Sequence, residues 1–314
     1  MSATNPFDPL RTLKLISHKS YLDDLISLYE KKFFPNVLML SGKKGIGKFT
    51  IVNHFLNYIF NKNTKTPYDL ENKTINVNSF FYNSILQNSF QDILYLNINN
   101  KKTKIDDIRY LKNLLTKKTL NSNFRFIIID EVEFLNINSA NALLKVLEEP
   151  TKNNFFILIN NNQSIVSETI ASRCIKSNIF LSPLSCRKVI KYLVENREIK
   201  TIINPDSTNL TPGLYLEFND ILLQNNIFLK KDISETLSSL LPLYKKSKNI
   251  SIINLCNFII EEYFYNEMVV NNNNIDSFII LKSKINDLLK NLVDYNLNVV
   301  SIINSIKLKI NHVQ

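Results

Sequence analysis

The chain has 314 residues, 45% of them hydrophobic and 11% aromatic, which supplies a sizeable core and excludes wholesale disorder. Its net charge of +10 is compatible with a nucleic-acid partner, although 32 lysines against 6 arginines and abundant Asn, Ile and Tyr also read as coding bias. No run of about 18 uncharged apolar residues occurs, and residues 1–10 lack a secretory pattern, so a soluble cytoplasmic protein without membrane partners is expected.

In chain order, Leu22, Leu25, Ile26 and Leu28 recur at helical spacing within Tyr21–Lys32. Val37–Leu40 is a short buried-strand run, and Phe49–Phe60 is again helical. Residues 61–91 are mostly polar and irregular. Ile93–Leu96 predicts a second strand and Ile105–Leu120 a helix, with Asp106 and Asp107 at its start and Lys117 and Lys118 at its end to suit the dipole. Phe126–Ile129 predicts a third strand, ending in Asp130-Glu131. A helix capped by Asn138 or Ser139 then runs to Pro150, and Phe155–Ile159 is a fourth strand. This alternation predicts an α/β fold with a parallel sheet covered on both faces. Beyond Leu181 strands fade: a helix over Ser185–Asn196, short pieces around Pro205 and Pro212, then helices over Asp232–Leu241, Ile250–Val269 and Ile275–Ile310. The run Asn271–Asn274 reads as a solvated loop.

The chain holds only four glycines where about 22 would be usual. Three of them, Gly42, Gly45 and Gly47, precede Lys48 in Gly42-Lys43-Lys44-Gly45-Ile46-Gly47-Lys48, a G-x-x-x-x-G-K phosphate loop between strand and helix. Such glycines let backbone N–H groups approach phosphate oxygens, and Lys48 would reach the outer phosphates. A tight turn that binds nothing is the alternative. The residue after the lysine should carry the hydroxyl that holds Mg²⁺, but here it is Phe49, and Thr50 lies about 100° further round the helix. ATP is therefore the cofactor the loop suits, with Mg²⁺ only if ATP binds. Hydrolysis is expected to be weak or absent, and nucleotide binding stays open. Asp130 and Glu131 sit where acids orient a metal and an attacking water, or are simply a solvated strand end. Arg173 can stabilise phosphate charge or form a surface ion pair. The three histidines lack metal-ligand spacing, and His54 is expected to be packed or solvated rather than catalytic. None of the three cysteines, Cys174, Cys186 and Cys256, pairs at CxxC spacing, so neither zinc nor a disulfide framework is expected.

Several stretches together resemble the bacterial clamp-loader AAA+ family. They are the phosphate loop through Thr50, Ile105–Arg109, Asp130–Glu133, Asn141–Pro150 (NALLKVLEEP) and Ser172-Arg173-Cys174. The resemblance is clear over residues 10–220. It implies a P-loop AAA+ domain over 1–180, a helical lid over 181–228 and an all-α oligomerising collar over 229–314. It also implies a hetero-pentamer with delta and gamma/tau subunits that loads a sliding clamp onto primed DNA. In the family the SRC arginine acts on ATP bound by the adjacent subunit, which would make Arg173 a finger in trans. Asn161 falls near the first sensor. Gly213 matches the glycine of the second sensor, whose arginine is replaced by Leu216. Phe49, Leu216 and the lack of a long tail after the collar favour the family's non-hydrolysing stator over its ATPase subunit; Asp130-Glu131-Val132 favours the ATPase. The family's four-cysteine zinc module has no counterpart in residues 61–100.

Overall fold

The computed structural model describes residues 8–97, 111, 115, 124–148, 153–230, 232–270 and 275–311. Two compact units result, Met1–Tyr192 with Asn209–Leu214, and Leu193–Thr208 with Tyr215–Gln314. The expected helix over Ile105–Leu120 and the Asn271–Asn274 run lie outside the described residues, apart from Leu111 and Leu115.

The first unit is built on five parallel strands: β1 (Val37–Ser41), β2 (Ile93–Asn97), β3 (Arg125–Asp130), β4 (Asn154–Asn160) and β5 (Ile175–Asn178). Their order is β2-β3-β4-β1-β5. The four strands read from apolar runs are present within a residue or two of their expected limits. β1, β3 and β4 are nearly continuous in burial because helices cover both faces, as parallel sheets require. β5 escaped the pattern because Ile-Lys-Ser-Asn carries little apolar signal on an exposed edge strand.

One face of the sheet packs α1 (Lys19–Glu30), α2 (Lys48–Asn61) and α3 (Phe80–Leu86). Here Phe126 is fully buried and meets Tyr29, Phe34, Phe55, Phe60, Phe124 and Phe155 at centroid distances of 5.2–6.4 Å. Helix α3 lies inside the segment expected to be irregular. It is only seven residues long, started by Ser79, whose Oγ accepts from Tyr82 N, and held by buried Phe81 and Tyr82. The other face packs α4 (Ile137–Leu147) and the short α5 (Glu168–Ala171). Helix α4 starts earlier than expected: Asn136, not Asn138 or Ser139, is the cap, and its Oδ1 accepts from Ser139 N at 2.8 Å.

His54 is packed, with no solvent exposure. Its Nε2 donates to Thr12 O at 2.9 Å, and its Nδ1 accepts from the Tyr68 hydroxyl at 2.8 Å. Burial pulls the imidazole down to about 4, against the bond to Thr12. A base held neutral in the fold takes up a proton first in the unfolded chain. Stability is therefore lost as pH falls below about 6.5, by about 3 kcal/mol once pH 4 is reached. Urea unfolding of wild type against His54→Gln should show that gap closing between pH 7 and pH 4; parallel pH profiles would refute it.

After α6 (Pro183–Asn196) and α7 (Pro212–Gln224), the second unit is helical. Its helices α8 (Ile233–Ser247), α9 (Ile250–Val270), α10 (Ile275–Asp294) and α11 (Val299–Asn311) pack in a closed ring, each on the next and α11 on α8. Helix α8 runs past Pro242, where the sequence predicted its end, because Leu240, Leu241 and Tyr244 are all buried around that position. The expected single helix over Ile275–Ile310 is two. Asn296 adopts a left-handed conformation at the break, and the Asn298 side chain caps α11 by accepting from Val300 N at 2.9 Å. Helix α7 continues as one helix from Pro212, where only a short piece is expected, and buries Tyr215, Leu216, Phe218 and Leu222. Among the described residues no helix is long and apolar enough to cross a membrane.

Candidate functional site: the phosphate loop and its surroundings

Gly42–Gly47 leaves the C-terminal end of β1 and enters α2, with Gly47 at the helix N-cap. Five successive loop carbonyls are each held by a donor from the protein. Lys48 Nζ donates to Gly42 O at 2.6 Å and to Lys43 O at 2.8 Å. Thr211 Oγ1 donates to Lys44 O at 2.7 Å, Gly213 N to Gly45 O at 2.8 Å, and His18 Nε2 to Ile46 O at 2.9 Å. Carbonyls committed in this way leave the N–H side of the loop to face an anion. Lys48 is only 3% exposed, and burial pulls its ammonium down to about 8 against the attraction of Asp130 and Glu133. Two of its three protons are used on the loop, which leaves one for a phosphate oxygen.

The loop also fits closely against the start of α7. A Cβ on Gly213 would stand 2.7 Å from Gly45 Cα, and one on Gly45 would stand 2.5 Å from Thr211 Oγ1. The two backbones touch because neither residue has a side chain. Gly213→Ala is therefore expected to destabilise the first unit by about 1–3 kcal/mol, although alanine favours helices. An unchanged melting temperature would show that the contact relaxes freely.

Asp130 ends β3, two strands away from β1, and Glu131 follows it. Asp130 Oδ1 accepts from Glu131 N at 2.9 Å, and Oδ2 accepts from the Tyr95 hydroxyl at 3.3 Å. Burial, followed by the neighbouring Glu131 charge, pushes Asp130 up to about 6. Glu131 is nearly buried in a left-handed backbone conformation, and Lys44 Nζ pairs with its Oε1 at 3.1 Å. Glu133 Oε1 accepts from Asn161 N at 2.9 Å, and burial raises its carboxyl above the usual range.

Phe49 turns its ring edge-to-face onto Tyr95, with centroids 5.1 Å apart. The aromatic pair thus stands beside Asp130, on the side where a metal ligand is needed. Magnesium requires oxygen ligands, and a phenyl ring supplies none, so these residues do not fit the metal. They do fit a phosphate group. Thr50 is the third residue of α2, one position beyond Phe49.

The structure thus gathers Gly42, Gly45, Gly47, Lys48, Asp130, Glu131 and Asn161 at the C-terminal end of the sheet. Arg173 is elsewhere. It precedes β5, whose Ile175 lies opposite Leu38 near the start of β1, whereas Ile179 lies against Gly42. The four steps from Ile175 to Ile179 span roughly 13 Å of extended chain, and Arg173 is two residues further back. Its guanidinium donates to Thr169 O at 2.9 Å and pairs with Glu148 Oε1 at 2.5 Å, half-exposed. It cannot reach its own phosphate loop. Sequence reasoning gave no role to Tyr95, Glu133, His18 and Thr211, because only the folded backbone brings these scattered residues together, nor to Lys44 within the loop, whose partner Glu131 is distant in sequence. It also missed Asn160, whose Nδ2 donates to Ser41 Oγ at 3.3 Å beside the loop.

A parallel sheet in this strand order, with a phosphate loop after β1 and an acidic pair after β3, defines a P-loop protein of the AAA+ class. The chain belongs to the family described as DNA polymerase III, delta subunit, whose model matches residues 17–182. It is similar to DNA polymerase III subunit gamma of Buchnera aphidicola from Acyrthosiphon pisum, 29% identical over 164 residues, covering 52% of this chain and 44% of the relative. Similarity to DNA polymerase III subunit delta' of Buchnera aphidicola from Schizaphis graminum is 24% over 219 residues, covering 68% of this chain and 63% of that protein. The chain thus spans less than two thirds of the length of either relative. A solved DNA polymerase III gamma subunit-related protein from Thermotoga maritima aligns with a TM-score of 0.49 at 15% identity, covering 92% of this chain and 98% of that one.

Proposed function

We propose that the chain is the non-hydrolysing delta-prime stator of the DNA polymerase III clamp loader. In this reading it assembles with delta and gamma/tau subunits, helps to place the sliding clamp on primed DNA, and lends Arg173 to ATP bound by the neighbouring ATPase subunit. The observation that carries the reading is the separation of Arg173 from the chain's own loop by most of the length of β1. An arginine so placed serves phosphate chemistry only if another subunit brings the phosphate to it. Phe49, packed on Tyr95 where a metal ligand belongs, supports the absence of hydrolysis.

The purified chain is expected to show negligible ATPase activity, and the reconstituted loader to show DNA-stimulated ATPase. Robust turnover by the chain alone, abolished by Lys48→Ala, would overturn this in favour of an active gamma/tau-like subunit. Glu131 beside the loop is the observation that favours that second reading.

A further inference from the structure

We propose that the phosphate loop takes up a diphosphate group without a divalent metal, a property that rests on the reading of a non-hydrolysing subunit. The anion-binding half of the site is intact. The loop carbonyls from Gly42 to Ile46 are tied to Lys48, Thr211, Gly213 and His18, and the buried Lys48 keeps one proton for an oxygen ligand. The metal-binding half is filled by the protein itself. Glu131 is paired with Lys44, both oxygens of Asp130 accept hydrogen bonds, and Phe49 and Tyr95 close ring to ring beside them.

In a metal-dependent phosphate site the acids stand ready for the cation and for the waters it keeps. Here Lys44 provides Glu131 with its counter-charge, and Tyr95 provides Asp130 with its hydrogen bond. A diphosphate arriving at the loop meets lysine and backbone N–H groups, and these acids need no cation to balance them. The shared chemistry is the diphosphate group, carried by a nucleotide or free as pyrophosphate.

Calorimetric titration of the full chain with ADP, and separately with pyrophosphate, in excess magnesium and in EDTA tests this. The ADP dissociation constant should agree within about twofold between the two solutions. Phe49→Thr, which restores a hydroxyl to the position, should bind ADP about tenfold more tightly in magnesium than in EDTA. Lys48→Ala should weaken wild-type binding at least about tenfold in both. Binding of both ligands would assign the site to the diphosphate alone, and binding of ADP only would add a contribution from the nucleoside. Wild-type binding that weakens about tenfold or more in EDTA, or binding of neither ligand, overturns the proposal. Turnover of ATP, added to the chain in the same magnesium buffer in a separate assay, would instead overturn the non-hydrolysing reading, so the two failures are separate results. Should Lys48→Ala fail to fold, the wild-type comparison between magnesium and EDTA still decides.

Discussion

Arg173→Ala is expected to leave the isolated chain folded and to cut hydrolysis at the neighbouring ATPase site of a reconstituted loader by about 10³-fold, the lower range for a lost arginine finger. Folding should survive because the side chain is half-exposed and its partners, the Thr169 carbonyl and Glu148, turn to water once it is gone. Glu148→Gln supplies the converse. It removes the carboxylate that holds the guanidinium within the subunit and should leave assembly intact, because the pair is exposed. Single-turnover hydrolysis with the ATPase subunits in excess reads the affected site directly. Wild-type rates in the Arg173→Ala loader would remove Arg173 from the chemistry.

The second large effect falls on stability. Phe126→Ala should cost about 3–5 kcal/mol and lower the melting temperature of the first unit sharply. Phe126, the second residue of β3, sits among six aromatic rings, its stack with Phe155 being the closest at 5.2 Å. Rings fixed on α1, α2 and the neighbouring strands cannot all move inward to fill the void. Phe126→Leu, which retains most of the volume, should cost well under half as much, and equal losses in the two variants would show that the cluster is loosely packed.

Strands β1, β3 and β4 were legible because they are buried on both faces and apolar almost throughout, and β2, though also at an edge, carries the apolar run Ile93–Leu96. The edge strand β5 and the seven-residue α3 were not, since edge exposure and shortness remove the periodic signal from which such elements are read. Within the site, the loop and its missing hydroxyl could be read from spacing alone. What Phe49 does could not, because Tyr95 lies 46 positions away and only strand pairing brings it near; the same holds for Lys44 and Glu131. Helix α8 passed its proline because burial on both sides of Pro242 outweighed the loss of one backbone hydrogen bond.

The contact between Gly45 and Gly213 bears on how this sequence can drift. Glycine is scarce in this chain, which holds four. At Gly42, Gly45 and Gly213 an added carbon would come within 2.8 Å of a neighbouring atom, while at Gly47 it would meet only a His18 ring carbon at 4.0 Å and the backbone angle, φ +99°, is what restricts it. Three of the four glycines thus stand where the surrounding atoms leave no room for a side chain. Because Gly45 and Gly213 face each other, a side chain gained at either meets the backbone of the other, and no substitution at the second position makes room for it.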